Sequence, residues 1–224
     1  IIGQKKTSFD FEDVKNKGKI LFVKLGKGRF GSNVSGLLAN MLVSRFKYTA
    51  MKRGSLPLDQ RRDFYLCVDE AHNLPADNFT ELLAEARKFR MGLILATQYT
   101  AQISSTVAKN NFLAAVIGNV GTIVAFRLGQ DDAKSMAPVF HPNFGFLDII
   151  GLPNWQGYAR MQQGGDTVPP FSFHSLKDET PYDKELAARL IAISRKRYGR
   201  PFAEVDEWIS SQRTPWKSHD GLES

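Results

Sequence analysis

Two adjacent carboxylates follow directly after an apolar run near the middle of the chain. Residues 64–68 read Phe-Tyr-Leu-Cys-Val, and Asp69 and Glu70 come next. This pattern is typical of a strand that is buried on both faces and delivers its acids to the ligand-binding edge of a parallel sheet. Such a pair suits nucleoside triphosphate hydrolysis, because one carboxylate can hold Mg²⁺ through its water shell while the other orients or deprotonates the attacking water. A plain strand end followed by a turn or helix cap is the alternative.

A second apolar run, residues 92–97, ends in Gln98. A helical pattern separates the two runs, and strand-helix-strand order predicts a right-handed crossover with parallel pairing. We therefore expect Gln98 to lie close to Asp69 and Glu70. An amide in that position can hydrogen-bond both the attacking water and a γ-phosphate oxygen. The alternative is a polar strand end that caps the next helix.

Arg87 belongs to the helix between these runs and falls off its apolar face, which is formed by Phe79, Leu82, Leu83 and Ala86. A guanidinium there could reach a phosphate held by a neighbouring subunit and stabilise charge on the transferred phosphoryl group. Spacing alone favours the alternative, a solvated helix arginine.

The elements that must position these residues follow from periodicity. Strands are predicted near residues 20–25, 64–69, 93–97 and 122–128, with helices at about 32–52, 77–90, 101–117 and 131–140. A hairpin at 158–162 and 171–176 and helices at 182–198 and 202–211 complete the chain. Residues 26–31 form a literal G-x-G-x-x-G, but no acid follows about 20 positions later to hold a ribose. We interpret them as a flexible turn before a helix capped by Ser32; a dinucleotide-binding oxidoreductase is the third hypothesis.

The charge of the chain is concentrated in one segment. The formal net charge is +7, and residues 24–62 contain nine Lys or Arg against one acid, Asp59. Such a patch attracts nucleic acid, and Lys47, Lys52 and Arg53 are the weak candidates for DNA contacts. A solvated basic helix face is the equal alternative.

Other features narrow the class of protein. The single cysteine, Cys67, is predicted to pack as a small hydrophobe, and no zinc spacing or disulfide framework is present. No leader-like or membrane-spanning run is evident. We expect a cytoplasmic location, with attachment to the inner face of the membrane through partners or further segments left open. The first residue is Ile1, so a fragment of a longer chain is expected.

Residues 64–128 resemble the second half of the RecA-like motor of type IV secretion and conjugation ATPases, the coupling-protein (TraG/TraD-like) group of the HerA/FtsK superfamily. The resemblance lies in Phe-Tyr-Leu-Cys-Val-Asp-Glu-Ala-His-Asn from residue 64, Phe-Thr-Glu-Leu-Leu-Ala-Glu-Ala-Arg-Lys from 79, Leu-Ile-Leu-Ala-Thr-Gln-Tyr from 93 and Gly-Asn-Val-Gly-Thr-Ile-Val-Ala-Phe-Arg from 118. Similarity extends over about residues 15–175.

The resemblance implies a hexameric ring that hydrolyses ATP with Mg²⁺ to move DNA or a nucleoprotein, with secretion-channel components as further partners. Asp69 would match the Mg²⁺-coordinating acid, Glu70 the catalytic glutamate and Gln98 the polar sensor. Arg87 would match the trans-acting arginine, with Arg90 as second choice. The chain departs from the family in one respect, because no Gly-Lys is followed by Ser or Thr as a phosphate loop requires.

The sequence thus predicts an α/β fold, a mostly parallel RecA-like sheet flanked by helices, with a small β-hairpin and a helical C-terminal tail. The expected organisation is a linker at 1–18, a motor core at 19–177, a helical tail at 178–213 and disorder at 214–224. The leading hypothesis is part of a DNA translocase that is inactive alone. A non-catalytic adaptor or DNA-binding module is the alternative.

Overall fold

The computed structural model describes residues 8–71, 76–98 and 116–212. The chain divides into two compact units, one formed by Phe11–Asp178 and the other by Ile1–Asp10 together with Glu179–Ser224. The predicted helix at 101–117 and the predicted disorder at 214–224 lie outside the described residues, apart from the helical residues 116 and 117.

The helices are α1 Phe11–Asn16, α2 Lys27–Met51, α3 Ala76–Glu85, α4 Gln130–Phe140, α5 Phe146–Ile150, α6 Lys184–Tyr198 and α7 Phe202–Gln212. The strands are β1 Phe64–Val68, β2 Met91–Leu95, β3 Thr122–Ala125, β4 Gln156–Gln163 and β5 Asp166–His174. Single 3-10 turns lie at Lys52–Ser55, Leu58–Gln60 and Ala86–Phe89. The mixture of a parallel strand pair, a small antiparallel sheet and helices confirms the predicted α/β class.

β1 and β2 form a parallel pair in which Phe64 is opposite Met91 and Val68 is opposite Leu95. One face of the pair packs on α2 and α3 through a cluster of buried residues, Val43, Ala50, Leu82, Ala86 and Met91. The alternate residues Tyr65 and Cys67 are exposed. The predictions that this strand is buried on both faces and that Cys67 is packed are therefore wrong. Successive side chains of a strand point to opposite faces, and among the described residues only one face is covered by helices.

β3 does not join the parallel pair. It lies in a three-stranded antiparallel sheet of order β3-β4-β5, with Thr122 opposite Met161. The prediction of a parallel strand at 122–128 is wrong because a short apolar run fits either partner, and the return of the chain through α4 and α5 brings it beside β4. The predicted hairpin is present as β4 and β5, joined at Gly164 and Gly165, whose φ values are 63° and 101°.

The predicted strand at 20–25 is also absent. These residues have no regular structure, and Ile20 and Phe22 are 82% and 90% exposed. Their apolar pattern is strand-like, but no described strand pairs with them, and a strand needs a partner for its backbone groups. Helix α2 follows at once and is interrupted at Gly31, where φ is 73°.

Helix α1 begins the larger unit and is held there by aromatic packing. Phe11 is buried and meets the ring of Phe46 edge-on, with centroids 5.1 Å apart. Phe46 stacks in turn on Phe64 at 5.8 Å. The core of the β1–β2 pair thus continues through α2 to α1.

Candidate functional site

The carboxyl ends of β1 and β2 meet at one edge of the sheet. The pairing continues one step beyond the strands, because the Ala96 N–H donates to the Val68 carbonyl at 2.9 Å and the Ala71 N–H donates to the Ala96 carbonyl at 2.9 Å. Residues 69–70 and 97–98 follow these bonded positions directly. The structure therefore brings Asp69, Glu70 and Gln98 to the same edge, as the order of elements predicts.

Glu70 has an unusual backbone conformation. Its φ is 54°, in the left-handed region that few non-glycine residues adopt. In a regular parallel ladder, one residue separates the two residues to which a partner bonds. Ala96 bonds to Val68 and to Ala71, so two residues, Asp69 and Glu70, lie between the bonded positions. This is the geometry of a β-bulge, which redirects a side chain at the end of a strand. The backbone thus gives Glu70 an orientation different from that of a residue in the strand.

Asp69 stabilises this turn. Its Oδ1 accepts a hydrogen bond from the Glu70 N–H at 2.9 Å, and its side chain lies in an exposed position. The second carboxylate oxygen remains able to accept from a metal-bound water. No group of three His, Cys, Asp or Glu in the described ranges could enclose a metal ion directly. The exposed Asp69 carboxylate is an oxygen donor of the kind that holds Mg²⁺ through its water shell.

Arg87 lies at the opposite edge. It is exposed in the 3-10 turn Ala86–Phe89, which precedes β2. The five residues of β2 at about 3.3 Å each place this turn roughly 16 Å from the carboxyl edge. A guanidinium cannot cover that distance, so the structure does not bring Arg87 to Gln98 within one chain. This position leaves two readings of Arg87, a solvated arginine or a contact with a second subunit.

Arg53 is a structural residue, which corrects its prediction as a DNA contact. It is 3% exposed. Its guanidinium donates to the Asn16 Oδ1 from two nitrogens at 3.3 Å each and to the Phe89 carbonyl at 3.1 Å. Burial lowers the pKa of this guanidinium from its ordinary value, with a smaller contribution from nearby Arg61. Its cation faces the core and not solvent.

Lys47 and Lys52 are each paired with an acid distant in sequence. Lys47 Nζ forms an ion pair with Glu81, and Lys52 Nζ lies 2.7 Å from Glu12. The hydrogen bond that the Lys52 ammonium donates to Glu12 raises the pKa of Lys52. The net charge of residues 24–62 does not include Glu12 and Glu81, because both acids lie outside that segment.

Arg61 is a residue whose role the sequence did not indicate. Its guanidinium donates to the carbonyls of Leu56 at 2.6 and 2.8 Å, Gly54 at 3.1 Å and Lys88 at 2.6 Å. Together with Arg53 it fixes the turn that carries Arg87. Only a three-dimensional structure could identify this pair, since arginines in a basic segment have no pattern that marks them as carbonyl ligands.

Comparisons with known proteins agree with this architecture. Residues 63–137 match the model of a family described as the TraM recognition site of TraD and TraG. The plasmid coupling protein TrwB in complex with ADP and Mg²⁺ matches with a TM-score of 0.64 and 16% identity over 80% of this chain and 45% of that one. TrwB in complex with the GTP analogue GDPNP matches with a TM-score of 0.60 and 15% identity over 77% of this chain and 45% of that one.

The chain spans less than half the length of these solved coupling proteins. No curated protein matches the chain. No helix among the described residues is both long and apolar enough to cross a bilayer. The shared fold and the family match over residues 63–137 together confirm that this chain resembles the TraG/TraD-like group of coupling proteins.

Proposed function

We propose that this chain is part of an ATP-driven DNA translocase of the conjugation type, a homo-oligomer that acts as a hexameric ring. The observation that carries the proposal is the single sheet edge shared by Asp69, Glu70 and Gln98. The fold likeness to TrwB, whose structures hold nucleotides, supports ATP and Mg²⁺ as the ligands. DNA, a TraM-like protein and secretion-channel components are the proposed partners.

The proposed chemistry assigns one task to each side chain. Mg²⁺ would neutralise charge on the β- and γ-phosphates when bound. Asp69 holds a water of its shell through the oxygen that does not bond to Glu70. Glu70 accepts the proton of the attacking water, and the Gln98 amide orients that water. Arg87 faces the phosphates of a neighbouring subunit.

The substitution Glu70→Gln in the whole gene product tests this assignment. The amide keeps the size of the side chain but cannot take a proton, so ATP hydrolysis should fall by about 10²- to 10⁴-fold while nucleotide binding is retained. Asp59→Asn is the matched control, because Asp59 is an exposed acid in the Leu58–Gln60 turn. Unchanged hydrolysis in Glu70→Gln would show that this edge is not the catalytic one.

The polypeptide alone should neither bind ATP tightly nor hydrolyse it. No Gly-Lys in the sequence is followed by Ser or Thr, so a backbone cradle for the β- and γ-phosphates is lacking. The same observation favours the second candidate, a non-catalytic adaptor or DNA-binding module. Phosphate release from labelled ATP by the isolated chain would contradict the expectation, and hydrolysis by the whole gene product separates the two candidates.

A further inference from the structure

Helix α6 exposes a continuous apolar row. Leu186, Leu190 and Ile193 follow at intervals of four and three residues, which places them on one face of the helix. Their exposed fractions are 48%, 57% and 57%, and no residue of α6 is buried. Single exposed apolar residues are normal, whereas neighbouring exposed apolar side chains on one helix face are typical of an interaction surface.

The same helix is strongly basic. Its cations outnumber its one acid, Glu185, by five to one; they are Lys184, Arg189, Arg195, Lys196 and Arg197. Within the part of the chain that the structure describes, none of these five forms an ion pair. Their charge is therefore available to a partner, in contrast to Lys47 and Lys52, and the partner that complements it is anionic.

Exposed aromatic rings lie at both ends of α6. Tyr182 precedes the helix and is 82% exposed, while Phe202 follows it and is 83% exposed. In the last turn, the guanidinium carbon of Arg197 lies over the ring of Tyr198, 5.5 Å from the ring centroid. Tyrosine rings combine an apolar body with a polar tip and are enriched at membrane–water interfaces.

We propose that α6 binds the surface of an anionic lipid bilayer, lying in the plane of the interface with Leu186, Leu190 and Ile193 among the acyl chains. A basic helix with an apolar row is the form that such peripheral anchors take. DNA would satisfy the cations but offers no apolar surface to the row. A second copy of α6 would bring like charges together. The inference does not depend on the proposed ATPase role.

The test uses the chain itself and vesicles. Co-sedimentation with vesicles of equal parts phosphatidylcholine and phosphatidylserine should exceed that with phosphatidylcholine alone and should fall with added salt. The triple variant Leu186→Ser, Leu190→Ser and Ile193→Ser should bind at least about tenfold more weakly. The neutralising pair Arg189→Gln and Lys196→Gln should lose about fivefold per cation, or about 25-fold.

Two control variants lie outside α6. Leu176→Ser removes a leucine that is 94% exposed, and Lys134→Gln removes an exposed cation of α4; both should bind vesicles like the parent. Amide hydrogen exchange should slow within residues 184–198 when anionic vesicles are added. Circular dichroism verifies that the variants keep their helix. If the triple variant loses its helix, the Arg189→Gln and Lys196→Gln pair still tests the proposal.

Three outcomes would overturn the proposal. Equal binding of the parent to both kinds of vesicle would remove the role of charge. Normal vesicle binding by the triple variant would show that the apolar row does not contribute. If the glutamine pair then also lost binding to duplex DNA, α6 would be identified as a nucleic-acid surface. If the parent is a dimer that does not bind vesicles and the triple variant is a monomer, the partner of the row is a second copy of the chain.

Discussion

At the residue scale, the basic segment is divided into cations that hold the fold and cations that remain available. Arg53 and Arg61 donate to backbone carbonyls around the turn that precedes β2. Lys47 and Lys52 are neutralised by acids from other elements. Residue type and spacing could predict that the segment is basic, but burial and pairing depend on contacts with residues far away in sequence.

Replacing Arg53 by Met should destabilise the chain by about 1–3 kcal/mol, because the Phe89 carbonyl and the Asn16 side chain lose a charged donor inside the protein. Urea unfolding measures the change. Arg45→Met is the matched control, since Arg45 is an exposed arginine at the surface of α2, and its effect should stay within about 0.5 kcal/mol. Equal effects of the two substitutions would contradict a structural role for Arg53.

At the scale of elements, helices were easier to predict than strand partners. The apolar periodicity of α4, α6 and α7 gives their bounds to within two residues, because a helix satisfies its backbone bonds locally. The partner of β3 could not be predicted, nor could the finding that no described strand pairs with residues 20–25, because pairing is decided by the path of the whole chain. The shared edge at residues 69–70 and 98 was predictable, since strand-helix-strand order constrains parallel pairing.

The turn between β4 and β5 offers a test at this scale. Gly165 has a φ of 101° and the space around it is open, so Gly165→Ala adds backbone strain without a clash. The substitution should destabilise the chain by about 1–2 kcal/mol. Gly36→Ala is the control: it lies inside α2, also in open space, and should stabilise by about 0.5–1 kcal/mol. Thermal unfolding of both variants should show opposite signs, and shifts of one sign would contradict the turn assignment.

At the scale of the molecule, the positive charge is unevenly divided between the two units. Residues 1–10 and 179–224 contain ten Lys or Arg and nine acids, so residues 11–178 carry a formal charge of +6. In the smaller unit, α6 contains five of the ten cations, whereas α7 contains three of the nine acids, Glu204, Asp206 and Glu207, and no cation. The net positive charge of the larger unit favours DNA contacts there, where Arg45 is an exposed cation of α2.

The last prediction separates available cations from paired ones. Arg45 and Lys47 are both on α2, and neutralising either to Gln lowers the net charge by one. Arg45 is exposed and stacks beside Tyr48, with its guanidinium carbon 5.6 Å from the ring centroid, whereas Lys47 is paired with Glu81. If DNA is bound through its phosphates, Arg45→Gln should weaken binding to unrelated duplexes alike and reduce the salt slope by about 0.9. Lys47→Gln should have the smaller effect, measured by fluorescence anisotropy at several salt concentrations. Equal losses would mean that net charge alone, and not the exposed cations of α2, attracts the DNA.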